Sequence, residues 1–179
     1  MSIARHIHNL ALVGFMGTGK SSIGQIVADQ LHFEFLDTDS LIEKRAGKSI
    51  TEIFAQNGEA MFRELECQLV EELAERKKIV ISTGGGLVVN PANLAGLQTH
   101  ALIVCLWASP EIIWERIREQ THRPLLQAPD PLEKIRELLA QRAPFYRAAD
   151  VLINTGCRSP REVAQQVLHQ FHVARKLET

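Results

Sequence analysis

The sequence is poor in cysteine and in aromatic residues, and it has no excess of charge of either sign. Its 179 residues include three cysteines, and Phe, Trp and Tyr together make up 6% of the chain. Lys and Arg number 20 against 21 Asp and Glu, so the formal net charge is −1. The missing basic excess argues against nucleic acid as a partner and favours a small-molecule substrate.

The three cysteines, Cys67, Cys105 and Cys157, are odd in number, far apart, and placed in apolar periodic segments. This arrangement argues against a disulfide framework or a zinc site and predicts buried thiols in a reducing compartment. No stretch is apolar for long enough to span a bilayer, and the first residues lack the apolar core of a secretory signal. We therefore expect a cytoplasmic protein with no membrane partner.

What the sequence does contain is a phosphate-binding loop, Gly-Phe-Met-Gly-Thr-Gly-Lys-Ser at 14–21. Glycines let successive N–H groups curl around an anion, and the helix that follows points its positive dipole end at the same phosphates. In this motif Lys20 reaches the β- and γ-phosphates, and the Ser21 hydroxyl binds Mg²⁺. The residues predicted to bind the nucleoside triphosphate here are Gly17, Thr18, Gly19, Lys20, Ser21 and Ser22.

Short apolar runs alternate with amphipathic helical stretches along the whole chain. The runs predicted to be strands are 10–13, 33–36, 79–82, 101–106 and 151–153. Nearly continuous apolar character is typical of parallel strands with helices on both faces. The pattern therefore predicts an α/β fold with a doubly wound parallel sheet.

Two segments are longer than simple connections. Residues 38–76, between the second and third predicted strands, have a mostly helical pattern and are predicted to be an inserted, substrate-binding subdomain. Residues 120–131 contain three prolines and form a loop of about a dozen residues, long enough for a lid. We expect one domain over 1–179 that includes both segments.

Two carboxylates, Asp37 and Asp39, directly follow the second predicted strand. Ligands of open α/β sheets gather at the carboxyl ends of the strands. Carboxylates there could hold Mg²⁺ through water or accept a proton from an attacking hydroxyl. We favour a functional role for Asp37, because the third strand lacks the terminal aspartate that often serves Mg²⁺. Asp39 is equally well suited to cap a helix over 40–46.

Three consecutive glycines, Gly84, Gly85 and Gly86, follow the third predicted strand. They would let a ligand approach the backbone closely. A loose turn is the alternative, although it would be costly in chain entropy.

Three arginines stand out by position. Arg63 is three residues from Glu66, which lies on the inward stripe of its helix, and Arg142 replaces an apolar residue on the buried face of a later helix. Inward charges need partners, and guanidinium groups match a carboxylate at two points, so this pair suggests an acidic substrate. Structural ion pairing is the alternative. Arg123, in the proposed lid, could neutralise a transferring phosphoryl group or be a solvated charge.

The whole pattern resembles the shikimate kinase family. The matching segments, in the family's order, are GFMGTGKS at 14–21, FLDTD at 35–39, GEAMFRELE at 58–66, TGGG at 83–86, HRPLL at 122–126 and RAPFY at 142–146. The resemblance implies a nucleoside-kinase-like fold with a five-stranded parallel sheet of order 2-3-1-4-5. It also implies transfer of the γ-phosphate of ATP, with Mg²⁺, to the 3-hydroxyl of shikimate on the route to chorismate.

The resemblance assigns roles to single residues around the acid. Asp39 would hold the shikimate hydroxyls and favour removal of the proton from the 3-hydroxyl, and Asp37 would reach Mg²⁺ through water. Arg63 and Arg142 would clamp the carboxylate, with Glu66 holding Arg63.

Further roles implied by the resemblance concern the pocket walls and the nucleotide. Phe54 and Phe62 would form apolar walls, Gly85 would offer a backbone contact within the glycine turn, and Arg123 would reach the γ-phosphate. The residues implied to surround adenine are Arg116, Arg158 and Pro160. We expect a monomer.

Two other functions compete with this one. A gluconate kinase also phosphorylates a hydroxy acid, and only the resemblance argues against it. A non-catalytic nucleotide-binding regulator should have lost Lys20, Asp39 or Arg123, and all three are present.

Overall fold

Five parallel strands form one sheet in the order β2-β3-β1-β4-β5, in a computed structural model that describes residues 5–120 and 128–176. The strands are β1 (Asn9–Val13), β2 (Glu34–Asp37), β3 (Ile79–Ser82), β4 (Ala101–Trp107) and β5 (Val151–Asn154). The five predicted strands are confirmed to within one residue at each end, and so is the strand order that the resemblance implied.

The central strand β1 is buried along its whole length. Its side chains alternate between the two faces, with Ala11 and Val13 packing into one core and Leu10 and Leu12 into the other. Because helices cover both faces, a strand with four consecutive apolar residues, Leu10 to Val13, is stable here, whereas in a half-exposed strand apolar and polar residues would alternate.

Seven helices and one short 3₁₀ turn surround the sheet in the described part of the chain. They are α1 (Lys20–Leu31), α2 (Thr38–Ala46), α3 (Ile50–Ala74), the 3₁₀ turn (Leu87–Val89), α4 (Pro91–Gln98), α5 (Pro110–Ile117), α6 (Pro131–Arg147) and α7 (Pro160–Lys176). The helices α1 and α7 cover one face, and α3 to α6 cover the other.

Local sequence explains where several helices begin. Asn90 and Ser109 each cap a helix whose first residue is proline. Ser49 and Glu52 form a reciprocal capping box at the start of α3. Within α3, Gly58 has non-helical angles (φ 81°, ψ 169°) and kinks the helix, which glycine tolerates because it has no Cβ atom. The kink separates the first turns of α3 from the part that bears Arg63.

The prediction that all three cysteines are buried is confirmed for Cys105 alone. Cys105 is buried in β4 and Cys67 is half-buried, but Cys157 is exposed. It lies in the loop between β5 and α7. No helix among residues 5–120 and 128–176 combines the length and apolar character needed to cross a membrane.

Candidate active site

The phosphate-binding loop connects β1 to α1, and three of its glycines adopt backbone angles that other residues avoid. Gly14, Gly17 and Gly19 have φ values of 135°, 76° and 95°. At Gly14 a Cβ atom would also lie 2.2 Å from the carbonyl oxygen of Leu106. Gly19 precedes α1 without a side-chain cap, so the first N–H groups of the helix are suited to an anion.

Lys20, the first residue of α1, is buried against this loop. Its Nζ atom donates to the carbonyl oxygens of Gly14 at 2.8 Å and Phe15 at 2.9 Å. The ammonium group is thus held inside the loop that it is predicted to serve. Phosphate oxygens would be stronger acceptors than these carbonyl groups, because they carry charge.

The two residues predicted to serve the metal lie together. The Ser21 hydroxyl donates to Asp37 Oδ2 at 3.1 Å, and the Ser82 hydroxyl at the end of β3 is 3.3 Å from the Ser21 oxygen. This set of hydroxyl and carboxylate oxygens is the donor type that Mg²⁺ prefers. Ser82 stands where many phosphate-loop enzymes have an aspartate, which leaves Asp37 as the carboxylate of the set.

The helix cap at the end of β2 is Asp37, so the alternative in which Asp39 caps a helix over 40–46 is wrong. Asp37 Oδ1 accepts from the backbone N–H of Ser40 at 3.1 Å, and α2 begins at Thr38. The extended backbone of Asp37 (φ −105°, ψ 122°) places its side chain over the open N–H groups. Asp39 therefore lies within the first turn and is not needed as a cap.

Asp39 is half-buried, and its Oδ1 atom is buried without a hydrogen-bond partner among the described residues. Burial raises the pKa of this carboxyl group above its usual value, and the nearby Asp37 raises it further, while Lys20 acts in the opposite direction. A raised pKa makes the carboxylate a better proton acceptor near neutral pH. The unsatisfied oxygen indicates a place for a hydroxyl donor from a ligand.

Arg63 and Glu66 form the ion pair that their spacing predicts. Arg63 Nη1 donates to Glu66 Oε2 at 2.7 Å, and the Glu66 side chain is 1% exposed. Burial raises the pKa of Glu66, while Arg63 opposes the shift. A second contact joins Arg63 Nη2 to Glu59 Oε1 at 3.0 Å at the surface. The Nε atom of Arg63 also donates to Glu59 Oε1, at 3.2 Å, so structural ion pairing engages all three nitrogens of the Arg63 fork.

Structural ion pairing does not account for Arg142, which makes no salt bridge with any residue of the described ranges. Its Nη1 atom is 3.4 Å from the Gly85 carbonyl oxygen, and its guanidinium carbon lies 5.5 Å from the centre of the Phe15 ring. The half-buried charge is therefore held by the Gly85 carbonyl dipole, the Phe15 ring and the Tyr146 hydroxyl, none of which is a carboxylate. A carboxylate ligand would give the Arg142 guanidinium an ion-pair partner.

The glycine turn after β3 lies against all three charged side chains. A Cβ atom on Gly84 would be 2.4 Å from Asp39 Oδ1, and one on Gly86 would be 3.0 Å from both terminal nitrogens of Arg63. A Cβ atom on Gly85 would lie 3.5 Å from Nη1 of Arg142. The turn therefore brings Asp39, Arg63 and Arg142 to one place, and it does so through residues without side chains.

Sequence reasoning missed three hydroxyl groups in this region. Besides Ser82, these are Thr38, whose Oγ1 accepts from the Gly84 N–H at 2.9 Å, and Tyr146, whose hydroxyl donates to the Gly85 carbonyl at 2.6 Å. Tyr146 stands four residues after Arg142 in the sequence, which places both on one helix face. This four-residue spacing is the feature of the sequence from which a role for Tyr146 beside Arg142 could have been predicted.

A cavity of about 390 Å³ extends from the phosphate loop to Asp39, Ser82 and the first two glycines of the turn. The predicted site residues that line it are Gly17, Gly19, Lys20, Ser21, Ser22, Asp37, Asp39, Gly84, Gly85 and Arg116. Lys20 and Asp39 thus face the same space, as transfer between a bound triphosphate and a bound acceptor requires.

The residues implied to surround adenine line a neighbouring cavity of about 300 Å³ that also includes Thr18. Arg116, Arg158 and Pro160 are all part of its lining. Arg116 is fixed there, because its Nη2 donates to the Thr155 carbonyl at 2.6 Å and its Nη1 to the Gly17 carbonyl at 3.2 Å.

The two phenylalanines implied as pocket walls contact each other, with ring centres 5.0 Å apart. Phe62 is 5% exposed, whereas Phe54 is 36% exposed. The guanidinium carbon of Arg63 lies 5.4 Å from the Phe62 ring centre. Arg123 and most of the proposed lid lie outside the described residues.

The sheet order and the loop between β1 and α1 define a nucleoside-kinase-like protein of the P-loop class. The family model of shikimate kinase matches residues 16–172. The chain is 44% identical over 163 residues to the shikimate kinase of Thermodesulfovibrio yellowstonii, covering 91% of this chain and 94% of that protein. This chain belongs to the shikimate kinase family.

Solved structures agree with this assignment. The shikimate kinase of Acinetobacter baumannii in complex with shikimate superposes with a TM-score of 0.87, at 38% identity, over 93% of this chain and 94% of that one. A gluconokinase from Sinorhizobium meliloti superposes with a TM-score of 0.63 at 18% identity, over 97% of both chains. The second likeness concerns the fold alone.

Proposed function

We propose that this protein transfers the γ-phosphate of ATP to the 3-hydroxyl of shikimate, giving shikimate 3-phosphate and ADP. Membership of the shikimate kinase family supports this reaction. The observation that carries it is the glycine turn, which gathers Asp39, Arg63 and Arg142 beside the cavity that holds Lys20. Such a site suits an acceptor that has both a carboxylate and a reactive alcohol.

The carboxylate of the acceptor is assigned to Arg63 and Arg142. The Arg142 guanidinium has no carboxylate partner among the described residues, and two-point contact with a substrate carboxylate would satisfy it. Glu66, buried behind Arg63, keeps the Arg63 fork oriented through the 2.7 Å contact. Phe54 and Phe62 would cover the apolar side of the ring.

The reacting hydroxyl is assigned to Asp39, whose buried Oδ1 lacks a donor among the residues described. Phosphoryl transfer depends mainly on positioning and on neutralising charge, so the aspartate need only hold the hydroxyl in line and take its proton. Lys20 would bind the β- and γ-phosphates. Arg123 is proposed to neutralise the transferring group when the 120–131 segment closes.

The nucleotide and its metal are assigned to the loop side of the cavity. Ser21 and Asp37 would hold Mg²⁺, directly or through water, and the ion would supply charge neutralisation on the phosphates. Adenine would lie in the neighbouring cavity beside Arg116, Arg158 and Pro160.

We propose a single kinase domain over 1–179 that acts as a monomer in the cytoplasm, where ATP is available. Within it, the segment 38–76 is the substrate-binding part, because it contributes Asp39, Phe62 and Arg63. The segment 120–131 is the proposed lid.

The test is a coupled assay of ADP release with shikimate, gluconate, AMP or no acceptor. We expect rapid release with shikimate only and little release without an acceptor. Preference for gluconate, or equal release in all four reactions, would refute the proposed function. Mass spectrometry of the product identifies the phosphorylated hydroxyl.

A further inference from the structure

The glycine turn has backbone donors that the protein leaves open. The Gly84 N–H is bound, since it donates to Thr38 Oγ1 at 2.9 Å. The N–H groups of Gly85 and Gly86, in contrast, have no acceptor among the residues that the structure describes. Open backbone donors beside two arginines suit an anionic ligand.

One carbonyl group of the turn is held from the other side. Tyr146 donates its hydroxyl to the Gly85 oxygen at 2.6 Å, within the short range for O–H···O bonds. The Tyr146 side chain is only 7% exposed. Its burial raises the pKa to about 12, so the hydroxyl keeps its proton and remains a donor.

The same carbonyl oxygen is shared with Arg142, whose Nη1 is 3.4 Å away. Arg142 and Tyr146 are four residues apart on α6 and so lie on one face of the helix. The Gly85 oxygen therefore links the buried hydroxyl to the guanidinium that is assigned to the substrate carboxylate.

A hydrogen bond that fixes the Gly85 carbonyl oxygen also fixes the direction of the Gly86 N–H group. The Gly85 carbonyl and the Gly86 N–H belong to one planar trans peptide, so they point in opposite directions and rotate together. Glycine residues otherwise permit many backbone orientations. An anchored carbonyl thus holds the open Gly86 N–H in a single direction, away from Tyr146.

We propose that Tyr146 is a positioning residue for the acidic substrate: its hydroxyl anchors the Gly85–Gly86 peptide and thereby fixes an open backbone donor and Arg142 relative to the bound carboxylate. This inference rests on the proposed function. Tyr146 itself touches no reacting atom; it acts through the turn and through its own contact with Arg142.

The test is Tyr146→Phe, which removes the hydroxyl and keeps the ring in the core. We expect KM for shikimate to rise about two- to tenfold, the range for one neutral hydrogen bond, while KM for ATP changes by less than about twofold. Equal changes in both constants would indicate a general structural defect and would overturn the proposal. So would an unchanged KM for shikimate.

Thr99→Val is the matched control, because Thr99 Oγ1 donates to the Gly96 carbonyl at 2.7 Å in an exposed turn that precedes β4. This variant loses a bond of the same kind far from the cavity, and it should leave both KM values unchanged. Arg142→Lys supplies the second arm. If Tyr146 acts through the shared carbonyl, KM for shikimate in the double variant Tyr146→Phe/Arg142→Lys should rise by less than the product of the two single increases. Fully additive effects on the free energy of binding would contradict the mechanism.

A direct readout uses the fact that Tyr146 is the only tyrosine of the chain. Uniform labelling with 3-fluorotyrosine therefore gives one ¹⁹F resonance. We expect shikimate to shift this resonance at saturation and gluconate to leave it in place. An unmoved resonance in a protein that still phosphorylates shikimate would refute the role of Tyr146, whereas a wild-type protein without shikimate-dependent ADP release would refute the proposed function.

Discussion

Replacing Gly84 by alanine should damage catalysis far more than folding. The added Cβ atom would lie 2.4 Å from Asp39 Oδ1, whereas ordinary contacts begin at 3.4 Å, so one of the two must move by about 1 Å. The obstructing atom is the end of a side chain, which moves at little cost in stability. A displacement of about 1 Å at Asp39, the group proposed to hold the reacting hydroxyl, should lower the rate about 100-fold.

We therefore expect kcat of Gly84→Ala, measured by ADP release at saturating shikimate and ATP, to fall about 100-fold. The melting temperature should stay near that of the wild type. Gly96→Ala is the matched control, since its Cβ atom would lie 2.9 Å from Val70 Cγ1, away from the cavity. That variant should lose about 1–3 kcal/mol of stability with kcat unchanged. A Gly84→Ala enzyme with wild-type kcat would refute the assignment of Asp39.

Three further predictions concern single residues. Arg142→Ala should weaken shikimate binding about 10- to 100-fold in calorimetry, the range for a hydrogen bond to a charged group, and leave ATP binding unchanged; equal losses for both ligands would contradict the clamp. Lys20→Met should abolish turnover with an unchanged circular dichroism spectrum, and appreciable residual activity would mean that the loop is not the phosphate site. Burial is the main cause that lowers the pKa of His100 below 6.5, and the nearby Arg5 and His8 lower it further. The unfolded state therefore binds more protons, and stability is lost as pH falls through 6.5 toward the lower pKa of the folded state. The melting temperature of His100→Leu should fall less with decreasing pH than that of the wild type. The same pH dependence in both proteins would refute the role of His100.

The strands and the phosphate loop could be predicted from the sequence because their signals are local. The run at 79–82, for instance, is apolar, short and bounded by a turn, which is sufficient for a buried parallel strand. The Arg63–Glu66 pair was likewise predictable, since both residues lie on one helix three positions apart.

The parts that could not be predicted depend on contacts between distant segments. Tyr146 and Gly85 are 61 positions apart in the sequence, and Ser21 and Ser82 also 61. No periodicity relates such residues, and only the folded sheet brings them together. The helix cap was misjudged for a smaller reason: both Asp37 and Asp39 have the right side chain, and the backbone angles that decide between them are set by where β2 ends.

The turn at Gly84–Gly86 suits the site because its three residues have no side chains. Two of its three positions would bring a methyl group to within 3.0 Å or less of Asp39 or Arg63, so almost any replacement there would occupy room that the charged groups need. Engineering the enzyme toward a different acid should therefore leave this wall alone. Phe54, proposed as an apolar wall of the acid pocket, offers more freedom, because its side chain is partly open to solvent.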